Sequence, residues 1–275
     1  MSIWIAILIG IVYGAAEILP VSVSGHMAML HSFLRIGTED HALFDALLHL
    51  SALGAIWLAF RKDLRAMRRE GAAMLGLGRV SANRRPDRPL QRIVMFLLLA
   101  SLPLIAAEAL RGVVRPLGEN TFLVGFLMIL TGFLLLAADR WGHGNKNERG
   151  ITLSEAMTVT LFQMLSVIPG LSRSAAGIGV GMLCGFDRTF AARFSLLLYL
   201  PALLGAFVVS LIAAVSAGIV WSLVPVYLVG AAVSFLISFL AVYALRLIVL
   251  RGKTGGFCYY CWGAGLLTLI LSLIS

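Results

Sequence analysis

Apolar residues follow one another along almost the whole chain, in stretches that short polar breaks interrupt. A helix that crosses a bilayer needs about 20 apolar residues, whereas one of about 10–14 is more typical of a re-entrant segment. By this rule the stretches 25–36 and 174–186 are too short to cross, and the longer ones predict membrane-spanning helices. The apolar stretches are 2–19, 25–36, 43–60, 92–110, 121–138, 153–168, 174–186, 190–216, 219–250 and 256–275.

Both short stretches follow a break that contains proline, at residues 18–22 (ILPVS) and 168–172 (IPGLS). Proline lacks the N–H group that an interior helical position donates, so it ends or kinks a helix. Irregular backbone at membrane depth is tolerated only where protein buries it or where it lines a wet cavity. The pattern therefore predicts two re-entrant helix hairpins that enter the membrane and turn back.

The two breaks resemble each other, since Tyr13 and Phe162 lie equally far before their prolines and polar residues follow both. Paired interrupted helices in two halves of a chain are typical of an internal repeat, and they point to the binding site. We therefore expect an all-α polytopic membrane protein built of inverted repeats. Its single transmembrane domain would span residues 1–275, with repeat 1 at about 1–138 and repeat 2 at about 150–275.

The composition supports this class of protein. Of 275 residues, 60% are hydrophobic and 13% are charged, whereas soluble domains have about 45–50% apolar and about 25% charged residues. So few charges cannot cover a surface that faces water, which excludes a soluble globular protein. Disorder is excluded as well, because it requires low hydrophobicity.

The remaining charge is concentrated in residues 61–92. This segment holds ten Lys or Arg and three Asp or Glu, a net charge of +7 out of the formal +9 of the chain. Basic loops stay on the cytoplasmic side of a membrane, so the segment is predicted to be a cytoplasmic loop. It could also bind anionic headgroups. The basic balance therefore does not predict a nucleic-acid partner.

Ionisable side chains inside apolar segments are energetically costly, and each one marks a candidate functional position. Glu17, His26 and Arg173 stand out among them because they lie on or beside the two breaks. The full set is Glu17, His26, His31, Asp45, His49, Glu108, Arg173, Asp187, Arg188, Arg193 and Arg246.

The second break predicts a phosphate site. Gly170 supplies a turn, and Ser172 and Ser174 flank Arg173 where a new helix begins. Backbone N–H groups at a helix N-terminus attract anions, and the planar fork of arginine suits phosphate oxygens. The alternative is that Arg173 forms a structural ion pair with Glu17.

The first break carries groups that could act on a bound phosphate. His26 could be a nucleophile or a general acid or base, because imidazole titrates near neutrality. Glu17 could orient His26, position a water molecule or bind a divalent cation such as Mg²⁺ or Ca²⁺. Ser22 and Ser24 could donate hydrogen bonds to phosphate oxygens, or one of them could be a nucleophile.

The two breaks resemble the paired motifs of the BacA/UppP family of bacterial undecaprenyl-pyrophosphate phosphatases. The matching residues are 14–26 (GAAEILPVSVSGH) and 162–174 (FQMLSVIPGLSRS), with support from 44–50 and 193–198. The resemblance implies inverted repeats, two re-entrant hairpins and removal of the terminal phosphate from a C55 isoprenoid pyrophosphate. It further implies a bacterial inner membrane location, a site that faces the periplasm and a divalent cation. A homodimer is compatible with it.

Three positions depart from the family pattern. Tyr13 stands where the family usually has a second Glu, Val23 where it has a Ser, and Gly177 where it has a Thr. The loss of a carboxylate weakens a metal site. The loss of the hydroxyl at position 23 leaves His26 or an activated water molecule as the attacking group.

Two functions therefore compete. A lipid pyrophosphate phosphatase would bind phosphate with Arg173, Ser172 and Ser174, and would use His26 with Glu17 for the chemistry. A non-hydrolytic flippase for polyprenyl phosphate would have the same architecture of broken helices and could dispense with the replaced polar groups. A purely structural membrane protein would leave the polar groups at both breaks unexplained.

The charge of residues 61–92 generates a prediction about topology. Cysteine labelling of a Ser81→Cys variant should succeed only from the cytoplasmic side, because ten basic residues in a loop of this length resist translocation. Modification by an impermeant reagent added to intact cells would show that the orientation is inverted.

Overall fold

The computed structural model describes residues 1–34, 41–77 and 87–274, and this part of the chain is folded into α-helices and short 3-10 turns. The helices in chain order are α1 (Ile3–Ile18), α2 (Val23–Leu34), α3 (Ala42–Ala59), α4 (Arg61–Met74), α5 (Arg88–Ala109), α6 (Arg111–Val114), α7 (Thr121–Trp141), α8 (Leu153–Leu165), α9 (Arg173–Leu183), α10 (Arg188–Ala217), α11 (Val224–Leu250) and α12 (Gly256–Ile274).

Within the described residues, six helices are long and apolar enough to cross a membrane, namely α3, α5, α7, α10, α11 and α12. Large apolar side chains such as Leu102, Ile212 and Leu240 are exposed on these helices, as expected where the surrounding solvent is lipid rather than water. The helices of the pairs α1–α2 and α8–α9 are shorter, and one break separates the two helices of each pair. The prediction of an all-α polytopic membrane protein is confirmed.

The basic segment differs from the predicted loop over part of its length. Residues Arg61–Met74 form α4, and Arg88 begins α5. Helix α4 forms because its apolar residues Leu64 and Met67 are spaced for one helix face and pack against the core, while its basic residues stay exposed. Such an amphipathic helix suits a membrane surface.

Some of the predicted features fall outside the described residues. They are residues 35 and 36 of the stretch 25–36, and residues 78–86 of the basic segment, which include Ser81. The cytoplasmic location of the basic segment stays a prediction.

The two halves of the chain repeat the same order of elements. The hairpin α1–α2 is followed by the spanning helices α3, α5 and α7, and the hairpin α8–α9 by α10, α11 and α12. The contacts correspond as well, because α1 packs on α11 as α8 packs on α5, and α3 packs on α11 as α10 packs on α5. This correspondence supports an internal repeat, and its limits near 138 and 150 stay predictions.

Small residues hold α1 against α11. A Cβ atom on Gly14 would lie 2.6 Å from the carbonyl oxygen of Ser234, and Oγ of Ser238 donates a hydrogen bond of 3.1 Å to the carbonyl oxygen of Gly14. Without a hydrophobic effect between helices in lipid, close backbone approach and interhelical hydrogen bonds are the main sources of association. The contact therefore fixes the depth of α1, and with it the depth of the first break.

The Gly14 contact generates a prediction about stability. Replacement by a larger side chain in a tight packing site typically lowers stability by about 1–3 kcal/mol, so Gly14→Leu should lower the unfolding temperature in detergent. Gly263→Leu is the matched control, because a Cβ there meets no atom within 4 Å. Equal thermal unfolding of the two variants would contradict the close contact of α1 with α11.

Candidate active site

The two breaks lie against each other in the interior of the protein. The backbone N–H of Gly170 donates to Oγ of Ser24 at 3.0 Å, and Oγ of Ser174 donates to the carbonyl oxygen of Leu19 at 2.9 Å. Because each break supplies hydrogen-bonding partners to the other, polar residues from distant parts of the sequence meet at one place.

The backbone of the first break is strained at Ser22. This residue is buried and has a φ of 69°, in the left-handed region that is uncommon for residues other than glycine. Its carbonyl oxygen accepts hydrogen bonds from Nδ1 of His26 at 2.8 Å and from the backbone N–H of His26 at 3.2 Å. Its Oγ accepts from the backbone N–H of Gly25 and lies 3.3 Å from Oγ of Ser24. Strain of this kind clusters at functional sites.

The second break requires glycine at position 170. Gly170 has a φ of 103°, and a Cβ atom there would lie 2.7 Å from the carbonyl oxygen of Val124. Beyond this turn Ser172 caps α9, because its Oγ accepts a hydrogen bond of 3.3 Å from the backbone N–H of Ala175. The first N–H groups of a helix have no acceptor within the helix, so the buried start of α9 favours an anion.

Arg173 is the buried cation of the site. Its Nη2 forms an ion pair of 2.6 Å with Oε1 of Glu108, its Nε donates to Oγ of Ser166 at 3.0 Å, and its guanidinium lies 4.7 Å from the ring centre of Tyr199. Its Nη1 is buried and has no hydrogen-bond partner in the described structure. The predicted alternative of an ion pair between Arg173 and Glu17 is wrong, since the carboxylate that pairs with Arg173 comes from α5.

Glu17 lies beside this cation with its carboxylate unsatisfied. The residue is 4% exposed, and among the described residues neither of its oxygens has a hydrogen bond of good geometry, although the hydroxyl of Tyr13 lies close enough to interact with the carboxylate. Arg173 and Arg111 are close enough to attract the carboxylate, and Glu108 is close enough to repel it. Buried polar groups are nearly always hydrogen-bonded, so an unsatisfied carboxylate beside an unsatisfied guanidinium nitrogen indicates a place for a ligand.

His26 makes its hydrogen bonds to groups other than Glu17 and Arg173. Its Nε2 lies 2.7 Å from the hydroxyl of Tyr260, and the two rings stack 5.6 Å apart at 8°. Nδ1 faces the carbonyl of Ser22, so it carries a hydrogen, and in the neutral ring Nε2 accepts the tyrosine hydrogen. The structure thus brings Glu17 and Arg173 into one cluster, whereas His26 makes its hydrogen bonds to Ser22 and Tyr260.

A largely apolar cavity of about 570 Å³ has His26 and Lys253 in its lining. Its walls include Ile11 and Ala15 of α1 together with Ile248 of α11 and Phe257 of α12, and Tyr260 lies beside His26 in the lining. A cavity of this composition suits an apolar chain whose polar end reaches the breaks.

Other polar groups occupy the places where the sequence departs from the family pattern. The hydroxyl of Tyr13 lies 2.6 Å from Nδ1 of His49, and both side chains are buried. A Cβ atom on Gly177 would collide with Nε2 of Gln163 and Oγ of Ser195, and these two atoms are themselves joined by a hydrogen bond of 2.8 Å.

Several of these residues were not singled out by sequence reasoning. His49 and Glu108 belong to the intramembrane ionisable set, but their partners cannot be read from sequence. Arg111 follows Glu108 by one helical turn, which is a usable signal for an ion pair. Gln163 and Ser195 carry no charge and give no signal at all.

These features define a class of protein, a polytopic membrane protein with a candidate anion site between two helix hairpins. The model of the family described as bacitracin resistance protein BacA matches residues 6–267, and the chain belongs to that family.

Curated relatives are similar over almost their whole length. The undecaprenyl-diphosphatase of Trichlorobacter lovleyi is 35% identical over 271 residues, which cover 97% of this chain and 96% of the relative. That of Korarchaeum cryptofilum is 35% identical, and that of Desulforapulum autotrophicum is 31% identical, each with 100% of both chains covered.

The packing around Gly177 generates a prediction about the family threonine. Gly177→Thr should lower the unfolding temperature, because its Cβ meets Gln163 and Ser195, and overpacking typically lowers stability by about 1–3 kcal/mol. The triple variant that adds Gln163→Ala and Ser195→Gly should recover part of the loss, because it removes both colliding atoms. A Gly177→Thr variant as stable as the wild type would contradict the close packing at this position.

Proposed function

We propose that the chain is a membrane phosphatase that converts undecaprenyl pyrophosphate to undecaprenyl phosphate, the lipid carrier of cell-wall synthesis. The relatives named undecaprenyl-diphosphatase support the hydrolase over the flippase. The structural observation that carries the proposal is a buried Nη1 of Arg173 without an acceptor among the described residues, within electrostatic range of the buried carboxylate of Glu17.

The pyrophosphate is held by the second break. Arg173 offers Nη1 and Ser172 offers a hydroxyl hydrogen at the start of α9, 3.3 Å from Oγ of Ser174. The hydroxyl of Ser174 donates to the carbonyl oxygen of Leu19 and must exchange that partner to bind a phosphate oxygen. The turn at Gly170 directs the chain into that helix N-terminus, which favours negative charge. Phosphoryl transfer requires chiefly positioning and charge neutralisation, and this constellation supplies both.

The first break provides the reacting groups. Either Nε2 of His26 attacks the terminal phosphorus, the lipid monophosphate leaves with the bridging oxygen and water then hydrolyses the phosphohistidine, or Nε2 takes a proton from a water molecule that attacks in its place. In both cases Tyr260 must release Nε2 when the substrate binds. Ser22 and Ser24 line the approach with hydroxyls that donate to phosphate oxygens. The isoprenoid chain occupies the largely apolar cavity that has His26 in its lining, so its headgroup is directed towards the breaks.

Glu17 is the residue that would hold a divalent cation. Within the described residues no three His, Cys, Asp or Glu side chains form a group that could hold a metal ion. Mg²⁺, however, is often bound by one or two carboxylates together with substrate phosphates, and the buried oxygens of Glu17 need a partner. The ion would neutralise charge on the phosphate oxygens.

The site opens on the membrane face opposite the basic segment. Helix α5 begins at Arg88, at the end of that segment, and ends at Ala109, beside Glu108 of the site. With residues 61–92 in the cytoplasm, the site faces the periplasmic side of the bacterial plasma membrane.

Phosphate release from a C55 pyrophosphate by the purified protein, with and without Mg²⁺ or Ca²⁺, tests the proposal. His26→Ala should lower turnover about 10²–10⁴-fold, as is typical of a general acid or base. Arg173→Ala should weaken substrate binding about ten- to a hundredfold, and Arg173→Lys should restore binding only in part, because an ammonium lacks the planar fork.

His31 lies in the same helix as His26 but further from the break, so His31→Ala is the matched control and should retain activity. Wild-type turnover no higher than that of the double variant His26→Ala, Arg173→Ala in every metal condition would overturn the assignment as a phosphatase.

A further inference from the structure

A second arginine shares the carboxylate that holds Arg173. Glu108 lies in the last turn of α5, and its Oε1 is 2.6 Å from Nη2 of Arg173. Its other oxygen, Oε2, is 2.6 Å from Nε of Arg111 at the start of α6. One carboxylate therefore bridges two guanidinium groups and keeps them side by side.

The two arginines differ in their access to the surroundings. The side chain of Arg173 is 7% exposed and that of Glu108 is 2% exposed, whereas the side chain of Arg111 is 37% exposed. Arg111 thus lies where the buried cluster opens. Its charge reaches inwards as well, since it attracts the carboxylate of Glu17 and repels the guanidinium of Arg173.

The bridge leaves donor nitrogens for a ligand. Glu108 lies between the two guanidinium groups and the carboxylate of Glu17 balances the second positive charge, so it is the unused donors, not a surplus of positive charge, that favour a phosphate. A buried donor nitrogen without an acceptor, Nη1 of Arg173, points to a ligand that is independent of the bridge. Arg111 contacts Glu108 through Nε, so its two terminal nitrogens are not used in the bridge.

We propose that Arg111 binds the phosphate group that Arg173 does not hold, and that the pair thereby distinguishes a pyrophosphate headgroup from a monophosphate. The proposal rests on the proposed function, because it names a specificity residue of the same site. Arginine nitrogens donate strong hydrogen bonds to phosphate oxygens, so Nη1 of Arg173 together with the terminal nitrogens of Arg111 matches a headgroup with two adjacent phosphates. After hydrolysis the lipid retains one phosphate and loses one of the two contacts, which favours release of the product.

The competing explanation is that Arg111 only balances the charge of Glu108. In that case its removal would disturb Arg173 through the shared carboxylate, and every phosphate ligand would lose affinity to the same extent. The two explanations therefore differ in the ratio between two affinities, not in whether binding weakens.

Binding of farnesyl diphosphate and farnesyl monophosphate to the purified full chain tests this ratio. The measurements use a His26→Ala background so that the diphosphate stays intact. Arg111→Ala should weaken binding of the diphosphate about ten- to a hundredfold and should change binding of the monophosphate by about twofold or less. Arg173→Ala should weaken the binding of both ligands.

Arg111→Gln keeps much of the side-chain volume and should show the same selective loss, which guards against a folding defect in the alanine variant. Arg251→Ala, an exposed arginine after α11, is the matched control and should bind both ligands as the background does. Equal losses for both ligands in Arg111→Ala and Arg111→Gln, or no loss for either ligand, would overturn the proposal.

This experiment does not depend on hydrolysis. A wild-type protein that releases no phosphate, but whose preference for the diphosphate disappears with Arg111, would overturn the phosphatase and leave the role of Arg111 intact. If the protein hydrolyses the lipid pyrophosphate and Arg111→Ala keeps the full preference for the diphosphate, the phosphatase stands and the proposed role of Arg111 is overturned.

Discussion

The structure depends on one constraint, which is that the backbone groups freed at a proline break find no water at membrane depth. Each break supplies partners for the backbone of the other: Ser24 accepts from the N–H of Gly170, and Ser174 donates to the carbonyl oxygen of Leu19. Helix α12 contributes Sγ of Cys261 to the carbonyl oxygen of Pro20. Because unsatisfied polar backbone is costly in lipid, the breaks must stay together, and the functional side chains that they carry are assembled as a consequence of the fold.

Burial of Arg173 imposes a second requirement on the surrounding helices. A buried charge needs a partner, and the ion pair with Glu108 supplies one at 2.6 Å. Such pairs contribute little net stability, because the loss of hydration offsets the attraction between the charges. The ion pair instead fixes the position of the Arg173 guanidinium. Nη2 is fixed by α5 and Nε by Ser166, so Nη1 is the nitrogen left to face a ligand.

The elements were predictable from sequence to the extent that they depend on local properties. Apolar length identified the stretches that form the six spanning helices, but it also retained 2–19 and 153–168, which the proline breaks assign to the two hairpins. Helix α4 was not predicted, because its apolar residues Leu64 and Met67 are outnumbered by basic ones and the segment was assigned from its charge. The partners could not be predicted, since the pairing of Arg173 with Glu108 depends on which helices touch. The same holds for Tyr13 and His49, which lie 36 positions apart.

The contact between His26 and Tyr260 is compatible with a role of this histidine in proton transfer. In the neutral ring Nε2 accepts the hydrogen of the tyrosine hydroxyl, and in the charged ring Nε2 donates to the same oxygen, because a phenolic hydroxyl can do both. The hydrogen bond between Nδ1 and Ser22 is unchanged between the two states, so the ring keeps its orientation while its charge changes. Tyr260 is 51% exposed beside the apolar cavity, so its hydroxyl can give way to a phosphate oxygen with little disturbance of the buried core.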